Sequence, residues 1–333
     1  MRYVAIDGWW GSGKGMAAYT LDNTPGHYVD FFQLNAFSGI NKAALTEQTW
    51  LRERETFALR SSICANGYYR LETFSHLGHF PFYFSRENVH LEPFKFSFQD
   101  FDLELFNKLR QGSDWNFNFI FDTLYETLIK HHLGKQAVED IHTIVALEGN
   151  DGTIFRHLES NDFDFSLIYM LRSAQGIMAS ISQRKPVEGI RSMMGDLGID
   201  RKMVFEIFER QKVAKEYAAR FPEKVLLINF EDVVNNPQLL HSKLQKFLNL
   251  PEDNPNWEPS LNGKSLAQEY GVEMFNQEID SAEKKLTPEG IAMIKSWEEE
   301  FYAPQKNTAT PSKTASQRVI HSFKSRVKQL LGI

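Results

Sequence analysis

The chain has 333 residues, a formal net charge of −6, and 42% hydrophobic and 24% charged residues. That is enough chain to bury a large core, and the acidic balance excludes a broad nucleic-acid binder, which needs basic surface. No run of 18 apolar residues is present to span a membrane, and Cys64, the only cysteine, excludes a disulfide framework. With no signal-peptide pattern ahead of the first strand, the expected location is the cytoplasm.

An apolar run at 3–6 predicts the first strand. Behind it stands Gly8-Trp9-Trp10-Gly11-Ser12-Gly13-Lys14-Gly15, then a helix-compatible segment over 16–21. A strand, a glycine-rich turn and a helix start build a phosphate cradle. Backbone N–H groups converge on the anion, the helix N-terminus adds partial positive charge, and the lysine adds a full one. The spacing fits the P-loop pattern G-x-x-x-x-G-K, with Gly15 where a kinase places its Mg²⁺-binding hydroxyl. A plain strand–helix turn with an exposed lysine is the alternative. A second strand is predicted over 28–32, carrying Asp30. The interval of about 36–140 is too long for a simple crossover, and predicts a helical, aromatic-rich insertion over the sheet's C-terminal edge. Between Phe74 and Phe121 it holds 12 of the 27 phenylalanines, either as a satellite core or as an apolar acceptor lid. His76 and His79 also lie in it, with no further partners suited to a zinc site.

A third strand at 143–147 ends at Glu148. A fourth at 166–171 ends at Arg172, with Ser180 eight residues on, in a helix predicted over 175–183. An arginine at a strand end points into the ligand crevice of an α/β sheet, and its fork of donors suits phosphate; a structural ion pair is the alternative. A long helix follows over 201–220. The fifth strand, over 225–230, runs into Glu231-Asp232, then Pro237 and an amphipathic helix closing at Phe247-Leu248-Asn249-Leu250. The acids alone need only be helix-start residues. Apolar strands alternating with helices predict a parallel sheet covered on both faces. Beyond it, Asn262-Gly263-Lys264-Ser265 is a turn with a cation, and 288–300 is a helix with Ile291, Ile294 and Trp297 on one face. A Pro/Thr/Ser-rich linker over 303–317 leads to a basic amphipathic tail helix over 318–333, suited to an anionic membrane surface or a protein partner, or packed back on the body.

The loop, the Arg172–Ser180 pair and the segment from Phe230-Glu231-Asp232 to Leu250 together resemble the sulfotransferases that use the nucleotide donor PAPS (3′-phosphoadenosine 5′-phosphosulfate). The resemblance covers about residues 1–35 and 140–265. It implies an α/β, P-loop NTPase-like fold: a parallel sheet of about five strands flanked by helices, in a single domain over 1–302 with the insertion as acceptor lid. It further implies that Gly11, Ser12, Gly13, Lys14, Gly15 and Met16 hold the 5′-phosphosulfate and that Arg172 and Ser180 clamp the 3′-phosphate. Lys264 falls where the family brings a basic loop over the nucleotide. Lys14 would assist the leaving group, and the base is expected at Asp30, with His76, His79 and Glu148 as alternatives. PAPS is the implied donor, PAP the product, and no metal is expected, because a sulfuryl group carries less negative charge than a phosphoryl group. The acceptor would be a hydroxyl or amine on a glycan, lipid-linked sugar or small metabolite. This loop departs from the family pattern in carrying its basic residue at Lys14, and Ser173-Ala174 follow Arg172 where the family has an acid or amide and a proline. Two other readings stay open: a Mg²⁺-dependent P-loop kinase with Glu148 or Asp151 on the metal, and a non-catalytic nucleotide-binding or membrane-docked protein.

Overall fold

The computed structural model describes residues 1–31, 34, 36–37, 97–112, 116–149, 152–160, 163–182, 200–252, 257–261, 263–271, 273–275 and 282–303. His76, His79, Asp151, most of the predicted insertion and the linker and tail beyond residue 303 lie outside the described residues.

Five strands, β1 (Arg2–Gly8), β2 (His27–Asp30), β3 (Thr143–Leu147), β4 (Ser166–Leu171) and β5 (Val225–Asn229), form one parallel sheet in the order β2-β3-β1-β4-β5. Every residue of β3 is buried, and so is every residue of β4 after Ser166. Near-continuous apolar runs of this kind belong to strands covered on both faces. β1 lies at the centre, with Ile6 beside Leu147 of β3 and Ile168 of β4. The chain leaves β1 toward β2 on one side, whereas β4 leads to β5 on the other. The C-terminal ends of β1 and β4 therefore flank a switch point, where open α/β sheets bind ligands.

Helix α1 (Lys14–Leu21) follows β1 and packs on β1, β2 and β3. Of the predicted insertion, three helices are described: α2 (Phe98–Gln111), α3 (Phe117–Leu133) and α4 (Lys135–Asp140). Ser97 and Asn116 cap α2 and α3 through their side chains. α3 lies against a face of the sheet. Phe121 meets Tyr3 edge-on at 5.3 Å, Tyr3 donates to Asp122, and the Tyr28 hydroxyl lies 2.9 Å from His132 Nδ1. Phe98, Phe101 and Phe121 are thus part of the main core, the core alternative for these residues of the aromatic segment. The reason is area: a central strand with Tyr3 and Ala5 on one face needs a long apolar helix over it, and α3 supplies it.

After β3 come α5 (Ile154–Ser160), α6 (Ala174–Ser182) and α7 (Arg201–Arg220) around β4; β5 passes directly into α8 (Phe230–Val234) and then α9 (Pro237–Leu248). The fifth strand ends at Asn229, one residue short of expectation, because Phe230 opens a helix. Two short strands, β6 (Ser260–Leu261) and β7 (Lys264–Ser265), pair antiparallel around the predicted turn. The last described helices are α10 (Leu266–Tyr270), α11 (Ala282–Lys285) and α12 (Pro288–Tyr302), the last capped by Thr287 with Pro288 in its first turn. α12 packs on α6 and α7, where Ile294, Ile177, Met178, Val204 and Ile207 form a second buried cluster. No helix among the described residues is long and apolar enough to cross a membrane.

Candidate functional site

The loop between β1 and α1 is shaped by two left-handed glycines that a side chain could not replace. Gly11 (φ 84°) and Gly13 (φ 89°) each lie where a Cβ would meet a neighbour. At Gly11 that neighbour is Ser180, whose Cβ and Oγ would be 3.2 Å away, and at Gly13 it is the ring of Phe230. These close approaches join the loop to α6 and α8, so residues far apart in sequence share one wall.

Gly13 is the N-cap of α1 and has no side chain to cap it; its carbonyl accepts Met16 N at 2.8 Å, which turns the loop into the helix. Lys14 is buried, and its ammonium donates to the carbonyl of Glu148. The Ser12 N–H donates to Trp9 O at 2.9 Å, while its fully buried hydroxyl turns back toward Gly8 and has no hydrogen-bond partner among the described residues. The Met16 side chain is likewise buried in the core. Gly15 sits in the first turn of α1, where a Cβ would lie 3.2 Å from the Tyr19 ring. The indole of Trp9 packs against the second cluster, whereas Trp10 is 49% exposed at the loop's outer edge.

Arg172 leaves the end of β4 and is 5% exposed. Its Nη1 donates to Gly11 O at 2.7 Å, and its guanidinium carbon lies 4.1 Å from the centre of the Phe230 ring. Its backbone is held from two directions. Gln211 Nε2 donates to Arg172 O at 2.6 Å, and Glu231 Oε1 accepts the next N–H, from Ser173, at 2.7 Å. The Ser173 hydroxyl then accepts Gly176 N at 3.1 Å in the first turn of α6, whose later turn presents Ser180 to Gly11. The three separate sequence signals therefore meet at one place: loop, strand-end arginine and acidic helix start.

The acids lie on the other flank. Register places Ala146 of β3 beside Ala5 of β1 and Asp30 of β2, so Asp7 and Glu148 come one step further along the same face. All three carboxylates are at most 2% exposed. Asp30 accepts from the Tyr125 hydroxyl at 3.1 Å and from Leu34 N at 3.4 Å. Glu148 accepts Phe37 N at 3.4 Å, and Asp7 accepts Gly8 N at 2.7 Å. Burial, and after it the charges of Asp30 and Glu148, push the Tyr125 hydroxyl pKa well up; burial and the Asp7 charge do the same to Tyr169. No group of three or more His, Cys, Asp or Glu among the described residues is arranged to hold a metal ion.

Lys264 lies in the β6–β7 hairpin. Its hairpin is held at the far end of α1, where Asp22 Oδ2 accepts from Ser260 Oγ at 2.8 Å and from Gly263 N at 2.9 Å. α1 has eight residues, so at about 1.5 Å of rise per residue its two ends are roughly 12 Å apart. Sequence reasoning passed over Asp7 and Phe230. Asp7 carried a visible signal, a carboxylate immediately before the first loop glycine. Phe230 carried none, since an aromatic after a strand is ordinary core.

No family model and no curated protein matches this sequence. Among solved structures, the chain is similar to the sulfotransferase STF1 of Mycobacterium tuberculosis H37Rv, at 14% identity over 91% of this chain and 76% of that one, with a TM-score of 0.42. It is also similar to the sulfotransferase domain of the olefin synthase of Synechococcus PCC 7002, at 11% identity over 97% and 94% of the two chains, again with a TM-score of 0.42. Likeness at that level carries no functional argument, so function is argued from the site.

Proposed function

We propose that the chain is a sulfotransferase that moves a sulfuryl group from PAPS to a hydroxyl or amine acceptor by in-line transfer without a metal. One observation carries this reading: Arg172 from β4 and Ser180 from α6 meet at Gly11 of the phosphate loop. A loop at a helix N-terminus suits one anion. A guanidinium and a hydroxyl beside it suit a second, and a nucleotide phosphorylated at both 5′ and 3′ positions presents that pair. PAPS supplies the sulfuryl group and a phosphate leaving group.

The chain's own groups divide the work. The N-terminal end of α1, with its partial positive charge, and the Lys14 ammonium stabilise negative charge that builds on the leaving oxygen as the sulfur–oxygen bond breaks. The acceptor must lose its proton as its new bond to sulfur forms. Glu148 is the first candidate to take it, because its backbone carbonyl holds the Lys14 ammonium and so places the residue at the loop. Asp30 lies under Tyr125 and Leu34, and serves on this reading to order the turn after β2. The acceptor class, a glycan, lipid-linked sugar or small metabolite, follows from the resemblance and the aromatic segment alone.

The buried acids Asp7 and Glu148, at the ends of β1 and β3, favour one other reading, a Mg²⁺-dependent kinase, since acids there suit a metal–nucleotide complex. Calorimetry separates the two. Metal-free binding of adenosine 3′,5′-bisphosphate, weakened about 100-fold or more in Arg172→Ala, is the expected result. Binding of ATP alone, dependent on Mg²⁺, would replace the sulfotransferase reading with the kinase.

A further inference from the structure

Arg172 is oriented by an aromatic surface. The Phe230 ring is 3% exposed and touches two parts of the site: the guanidinium, 4.1 Å from its centre, and Gly13, whose absent Cβ is the space the ring fills. Phe230 can occupy that place because β5 ends at Asn229 and α8 begins at once, with Glu231 tied to Ser173 N. A planar guanidinium lying on a ring face keeps its N–H donors directed edgewise. One edge is committed to Gly11 O. The ring face attracts the cation without neutralising it.

We propose that Phe230 is a positioning residue that makes Arg172 a reader of the nucleotide's 3′-phosphate. The ring sets the preference for a 3′-phosphorylated nucleotide over the same nucleotide with a 5′-phosphate only. This rests on the donor reading above. Contact with Gly13 gives Phe230 a second, structural job at the loop, which is why affinity by itself does not test the proposal and the ratio of two affinities does.

The experiment is metal-free calorimetry on the full chain with adenosine 3′,5′-bisphosphate and with adenosine 5′-monophosphate. The proteins are wild type, Phe230→Leu, Phe230→Met and Phe230→Tyr, each checked for folding by thermal melting. Leu and Met keep an apolar side chain without a ring; Tyr keeps the ring. The bisphosphate preference of the wild type should fall about tenfold in the Leu and Met variants and stay within about twofold in the Tyr variant. If Phe230→Leu does not fold, Phe230→Met carries the comparison. Equal losses for both nucleotides, an unchanged preference without the ring, or a preference lost in Phe230→Tyr would each overturn the role of Phe230. A wild type with no preference for the bisphosphate would instead overturn the donor reading beneath it.

Discussion

The two flanks of the crevice hold their charges in opposite ways. On the β4–β5 flank, the Arg172 guanidinium lies on the Phe230 ring and bonds a loop carbonyl, with Ser180 alongside at Gly11. On the β2–β3 flank, Asp30 and Glu148 are buried together with Asp7 beneath Tyr125, Leu34 and Phe37, and accept hydrogen bonds from them. An aromatic face orients a cation without neutralising it, whereas carboxylates on one sheet face present acceptors to hydrogen-bond donors. The difference teaches that a sheet can hold opposite charges at one end by placing them on separate strands.

The sharpest way to break that comparison is Glu148→Gln. It should lower turnover about 10²–10⁴-fold while leaving bisphosphate affinity within about twofold. If Asp30→Asn loses turnover and Glu148→Gln does not, the proton-accepting acid of that flank is Asp30, as the resemblance implies.

The acid flank also predicts a pH response in stability. Burial lowers His132, on α3 against Tyr28, from its ordinary 6.5 to about 4. The unfolded chain therefore binds the extra proton first as pH falls. The stabilisation from a neutral His132 is whole above pH 6.5 and is lost between 6.5 and 4, by up to about 3 kcal/mol. Urea melts at a series of pH values should show that loss, and His132→Asn, which keeps an acceptor for Tyr28, should flatten it. An unchanged slope in His132→Asn would assign the response to other groups.

The smallest effect belongs to the anion flank. Ser180→Ala should weaken the bisphosphate about tenfold by calorimetry and leave adenosine 5′-monophosphate unchanged. An equal loss for both would move Ser180 from the 3′-phosphate to the loop itself.

Several parts of this arrangement were legible without coordinates because their signals are local. The loop was readable from Gly11, Gly13 and Lys14 behind an apolar run, and β3 and β4 from apolar runs ending at Glu148 and Arg172. Helices α6 and α12 were found within two residues of their observed ends. The surroundings of Lys264 were not legible, for the opposite reason. A cation in a turn gives no hint of which end of α1 its hairpin will reach, and the bonds of Asp22 to Ser260 and Gly263 decide that. The aromatic segment was ambiguous in the same way, since Phe121 and its neighbours look alike as lid or core until α3 is laid on Tyr3.

By itself the sequence determined the class of the fold and the presence of a glycine-rich loop between the first strand and its helix, because strand runs, glycine turns and helix starts are set by neighbours in the chain. Only the tertiary structure decided what surrounds the loop. Asp7 comes level with Glu148 through parallel register, and Phe230 lies between Gly13 and Arg172 because β5 stops one residue early. Such contacts join residues far apart in the chain, and no local pattern encodes them.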